Sequence, residues 1–235
     1  MISKPPSASA ASKKLLLDLR YKVNKNARSS QVAGGDVLHE TTIQKHFEIY
    51  MPEAQPTKRD DYLCSAFGIK HLTKGKNSSK VYITGFNVPA NSSKVGHVGI
   101  VRCNEALIGE GEVYHCQDPD DICGSPSKAP ALLYDWGKDA GPFSLPTNVG
   151  FEVDADKDHI VMQVHYKVPL DFTDTTHAAM SYTENKPKYN AGMMLLHKGQ
   201  FSVPAGDSNV HAEINCMKVC LKASYSIFLK IYLEI

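Results

Sequence analysis

No run of apolar residues in this 235-residue chain is long enough to span a bilayer. An excess of charge of either sign is also absent. With 26 Lys and Arg against 25 Asp and Glu, the formal net charge is +1, which implies no polyanionic partner and so no nucleic acid. Helical periodicity is nearly missing and no internal repeat is found, which argues against a helical or repetitive fold. The beginning of the chain lacks the apolar segment of a signal peptide. Met1 to Ser12 are rich in Ser, Ala, Lys and Pro, and Leu15-Leu16-Leu17 is short and is interrupted by Asp18.

What is present suits one large domain or two small ones of ordinary apolar content. The six cysteines are many for a cytosolic chain of this size. An even count of six admits fifteen pairings, and spacing alone does not choose among them. Asn77-Ser78-Ser79 and Asn91-Ser92-Ser93 are N-glycosylation sequons. Cysteines and sequons together favour an extracellular or luminal setting.

Along the chain, residues 1–43 are polar with little periodicity and are expected to form a disordered extension. From His46 onward the pattern is that of short strands: Phe47 to Tyr50, Tyr62 to Phe67, Lys80 to Phe86, His97 to Cys103, Gly150 to Val153 and His159 to Val168. Met193 to Leu196 and His211 to Met217 are expected to follow as strands, with a turn at Pro204 to Asp207. Residues 104–130 read as a long loop that needs a tether, and Cys116 and Cys123 lie where a tether would act. Ala131 to Trp136 reads as a single helical turn, and Gly137 to Thr147 as loop. Short strands separated by Gly/Pro turns predict an all-β protein, an antiparallel β-sandwich of jelly-roll type. The expected domain covers 44–217, and 218–235, dense in large apolar residues, is expected to be a divergent tail.

Two histidines stand inside β-branched runs. In Gln163-Val164-His165-Tyr166 a period of two puts Gln163 and His165 on one face. His97 lies between Gly96 and Gly99. A neutral imidazole ligates copper or zinc well, and its second ring nitrogen stays open to an orienting hydrogen bond. The blander reading, a core histidine satisfied by backbone, has to be weighed for each alone. His159 shares the face of His165, but six residues along a strand is roughly 20 Å, too far for one ion. His115 lies on the long loop, and His71, His177, His197 and His211 have no spacing that argues for them.

A series of motifs then falls in one order: Tyr50-Met51-Pro52, Asp61-Tyr62-Leu63-Cys64, the strand ending at Cys103, Leu133-Tyr134-Asp135-Trp136, Leu145-Pro146-Thr147-Asn148-Val149-Gly150-Phe151, Gln163-Val164-His165-Tyr166, Ala191-Gly192-Met193 and Ile214-Asn215-Cys216. In that order, from about His46 to Cys216, the chain resembles the N-terminal copper domain of the peptidylglycine α-hydroxylating monooxygenases. These belong to the copper type II, ascorbate-dependent monooxygenases, as does dopamine β-hydroxylase. Gln163-Val164-His165-Tyr166 favours the peptidylglycine branch.

The resemblance implies a jelly-roll sandwich with disulfides Cys64–Cys116 and Cys103–Cys123. It implies one electron-relaying copper, held in the family by three histidines, two of them adjacent. Carried over by position, the second adjacent histidine is His97 and the third ligand is His165, while the first falls on Gly96. Tyr62 and Gln163 match positions near that copper. No catalytic residue of this chain is assigned. The family's second domain, which holds the oxygen-activating copper through two histidines and a methionine, has no counterpart before the chain ends at Ile235.

The implied activity is hydroxylation of the α-carbon of a C-terminal glycine in peptides, with ascorbate as reductant and a glycine-extended peptide as partner, in the secretory lumen or outside the cell. Two alternatives stand beside it. One is a non-catalytic copper-binding or interaction module, and the other is a truncated gene product.

Overall fold

The computed structural model describes residues 44–124, 130–137 and 140–193. The extension 1–43, the strand at 211–217, the turn at 204–207 and the tail 218–235 lie outside the described residues. Met193 is described and is not in a strand.

Eleven strands are described. They are β1 (Lys45–Tyr50), β2 (Asp61–Gly68), β3 (Lys80–Asn87), β4 (Val95–Cys103), β5 (Val113–His115), β6 (Ala131–Gly137), β7 (Phe143–Ser144), β8 (Val149–Asp154), β9 (His159–Tyr166), β10 (His177–Thr183) and β11 (Tyr189–Asn190). One sheet has the order β1-β10-β3-β8-β11, with β7 alongside β3, and the other is β5-β2-β9-β4-β6.

The long strands pair as nested shells, β4 with β6, β3 with β8, β2 with β9 and β1 with β10, all antiparallel. Successive shells fall in opposite sheets. That is a long hairpin rolled into two layers, the jelly roll. Outside the four shells, the short β5 and β7 pair antiparallel with β2 and β3, and the two-residue β11 pairs parallel with β8.

The core lies between the sheets and follows the strand alternation. Val98 and Ile100 of β4, and Ile160, Met162, Val164 and Tyr166 of β9, meet Val81 and Ile83 of β3, Val153 of β8 and Ala178 and Met180 of β10. β9 and β4 read as nearly continuous apolar runs because the opposite face of their sheet is covered too. There Ala66, Val101, Tyr114, Ile122 and Val161 pack around Cys64, Cys116, Cys103 and Cys123. Burial pushes the Tyr114 phenol up to about 12, and its hydroxyl donates to the Ile122 carbonyl at 2.8 Å. The disulfides Cys64–Cys116 and Cys103–Cys123 join this cover to β2 and β4.

Four segments differ from the sequence reading. Ala131 to Trp136 is an extended strand, not a helical turn, because Leu133 and Trp136 reach the core while the chain pairs with β4. Its apolar run is helix-like only where a bulge opposite Ile100 and Val101 breaks the alternation. The loop 104–130 contains β5, and 137–147 contains β7. The strand β10, His-Ala-Ala-Met-Ser-Tyr-Thr, escaped notice because small residues weaken its apolar signal.

Candidate metal centre

The site is set by cross-strand register on the outer face of the second sheet. Tyr62 of β2 pairs with His165 of β9, and His165 pairs with His97 of β4. One step along, Cys64 pairs with Gln163, and Gln163 with Gly99. Directly opposed residues have Cβ atoms about 4.5–5.5 Å apart, so Tyr62, His97, Gln163 and His165 share one patch. It lies beside the disulfide-bonded cover, not beneath it.

A bulge adds to this. The register slips between Val95 and His97, so that Gly96 and His97 together oppose His165. A Cβ built on Gly96 would lie 2.8 Å from Nδ1 of His165, which shows that position 96 faces the same side. Two successive residues of β4 therefore address one residue of β9, an arrangement that regular alternation forbids. Here the first of the two is a glycine, and the His165 ring fills part of the space a side chain would take.

Both imidazoles are held by carboxylates. Nε2 of His97 contacts Oδ1 of Asp135 on β6, and Nε2 of His165 lies 3.1 Å from Oδ1 of Asp60. The His165 ring stacks on Tyr62 with centroids 4.3 Å apart and planes 4° from parallel. Its Nδ1 is buried and has no hydrogen-bond partner among the described residues. The His97 ring lies over Gly99, whose Cβ would stand 3.7 Å from its Cε1. Carboxylate on one nitrogen and a free lone pair on the other is how metal-binding histidines are commonly oriented.

Gln163 reaches the other way. Its Nε2 donates to the buried carbonyl of Cys116 at 2.7 Å and ties the site strand to the Cys64–Cys116 bridge. Gln163→Leu strands that carbonyl, so the denaturant midpoint should fall by the equivalent of about 1–3 kcal/mol. An unchanged midpoint would show that the tie contributes nothing.

The other histidines among the described residues are elsewhere. His159 faces Glu110 at 3.2 Å, His115 lies 3.0 Å from Asp61, and His177 stacks on Tyr50. No cluster of three or more His, Cys, Asp or Glu suited to a metal is assembled among the described residues. Asp60 and Asp135 were not picked out from sequence. An acidic residue inside the apolar run Leu132 to Trp136 was the available signal, and the helical reading hid it.

The family model described as copper type II ascorbate-dependent monooxygenase, N-terminal domain, matches residues 47–173. The chain belongs to this monooxygenase family. It is 27% identical over 176 residues to "Peptidyl-glycine alpha-amidating monooxygenase A" of Xenopus laevis, covering 72% of this chain and 18% of that protein. It is 25% identical over 205 residues to the "Peptidylglycine alpha-amidating monooxygenase" of Rattus norvegicus, covering 84% of this chain and 20% of that protein. The mouse protein of that name is 25% identical over 175 residues, 72% of this chain and 17% of its own length. The chain thus spans about a fifth of the length of the curated relatives it matches. The matched region of the monooxygenase model runs from within β1 through β9, and takes in both histidines and all four bridged cysteines.

Proposed function

We propose that this chain is the single-copper domain of a peptidylglycine-type monooxygenase, and that His97 and His165 hold the metal. The observation that carries the reading is the register. Two histidines distant in sequence are directly opposed on neighbouring strands, and His165 keeps a buried, unpartnered Nδ1. Imidazole nitrogens suit copper, which when bound supplies one-electron redox chemistry with ascorbate as the reductant. Asp135 and Asp60 orient the two rings, Tyr62 supports the face of His165, and Gln163 anchors the strand. Tyr62 and Gln163 thus act as supports, and no residue of this chain is proposed to touch a reacting carbon.

The names of the relatives support a reading of the substrate class. It is a peptide ending in glycine, hydroxylated at the glycine α-carbon, in a secretory compartment that the two disulfides suit. This chain's share of that reaction is the electron-transfer copper. Gly96 favours a second reading, a copper-binding module without turnover, since two imidazoles hold the metal less firmly than three.

Copper bound per purified chain tests the proposal. One equivalent supports it, and none overturns it. Gly96→His tests where the third ligand position lies. The new Cβ would meet Nδ1 of His165 at 2.8 Å, so the His165 ring has to shift to make room for it. Copper affinity should rise at least tenfold, read by competition with a chelator. Unchanged or lower affinity would mean that position 96 does not face the metal.

A further inference from the structure

We infer that Asn91 is an N-glycosylation site whose oligosaccharide stands at the edge of the histidine patch. The inference rests on the secretory setting proposed above and is independent of copper.

Asn91 begins the turn that leads into β4 and is exposed. The turn is closed by local contacts. The Asn91 carbonyl accepts from the amides of Lys94 and Val95 at 3.0 and 2.9 Å. Its side-chain Oδ1 accepts from both the amide and the hydroxyl of Ser93, at 3.0 and 2.7 Å. An Asn or Asp side chain bonding two residues ahead is a self-contained turn, so it does not wait for the sheets to assemble. With Oδ1 doubly engaged, Nδ2 makes no hydrogen bond among the described residues and is left to solvent. The hydroxyl that completes the sequon therefore already touches the amide that would be modified.

The other sequon is arranged differently. Asn77 is exposed, and the Ser79 carbonyl accepts from the Ala155 amide at 2.7 Å, which ties the third residue of that sequon to the turn after β8.

The donor is an oligosaccharide on a lipid pyrophosphate. Nδ2 of Asn91 forms a bond to the anomeric carbon as the carbon–pyrophosphate bond breaks. Nδ2 loses one proton, and the lipid pyrophosphate leaves. No oxidation or reduction takes place.

Position gives the modification a consequence. The Lys167 ammonium donates to the Ser92 carbonyl at 2.9 Å, and its Cε lies 3.2 Å from where a Gly96 Cβ would be. The Lys167 amide also donates to the Lys94 carbonyl at 2.8 Å. The turn is thus fastened to the end of β9, and a glycan there rims the patch, screening it from large partners.

The test expresses the full chain behind a cleavable secretion leader in cultured animal cells, followed by an N-glycosidase that converts the modified Asn to Asp. The expected result is a one-step mobility shift on enzyme treatment, with an Asn91-to-Asp mass change in heavy-oxygen water. Asn91→Gln and Ser93→Ala should abolish the shift, whereas Ser93→Thr and Asn77→Gln should keep it. Ser93→Thr preserves the turn, so loss of the shift through misfolding is distinguished from loss of the acceptor. A chain whose mobility the enzyme leaves unchanged, or a shift that survives Asn91→Gln, overturns the inference. Copper content plays no part in this readout.

Discussion

His165→Ala should take the chain from one bound copper to none. Only His97 is then left on the patch, with Asp135 beside it. Losing an outer partner of a metal ligand already costs about 10–100-fold in affinity, so losing one of two ligands should cost at least about 100-fold. Chelator competition and metal analysis of the purified chain read the effect. The variant also removes the ring stacked on Tyr62, worth only about 0.5–1.5 kcal/mol, so the fold should survive. His159→Ala is the control, because His159 shares the face but pairs with Cys103 on β4 and faces Glu110. Its copper content should match the parent. Copper retained by His165→Ala would dispose of the site.

The largest loss of stability is expected on removing the bridge Cys64–Cys116, as Cys64→Ala with Cys116→Ala. The bridge closes a loop of sequence separation 52, which the chain-entropy account values at roughly 4 kcal/mol. Both cysteines are fully buried, and the pair carries β5 and the outer cover against β2. At roughly 2–4 °C per kcal/mol for a chain of this size, the melting temperature should fall by about 8–16 °C. The bridge Cys103–Cys123 spans a separation of only 20 and should matter somewhat less, roughly 3 kcal/mol. Calorimetry under non-reducing conditions compares the two. Equal melting temperatures for parent and the Cys64/Cys116 double variant would mean that the cover is held by packing alone.

The residues explain which parts of this molecule could be read early. Strands with strict alternation or long β-branched runs, such as β3, β4 and β9, announce themselves because the core selects every second side chain. β10 did not, since Ala178 and Ala179 carry too little apolar surface to mark a face. β6 misled, because a bulge at Leu133 puts consecutive large side chains on the core and mimics helical spacing. Asp60, and the role of Asp135 within its motif, could not be read for a related reason. Their meaning depends on which strand lies alongside.

By itself the sequence determined an all-β chain and its family and offered two imidazoles as candidates, since each rests on side chains near one another along the chain or on motifs in a fixed order. Tertiary structure alone decided that those imidazoles are neighbours. It also decided that Gly96 and His97 face the same way, and which carboxylate holds each ring. Those facts come from the pairing of β4 with β9 and from one slipped residue in it, and hydrogen bonds between strands far apart in sequence leave no local trace in the residues that make them.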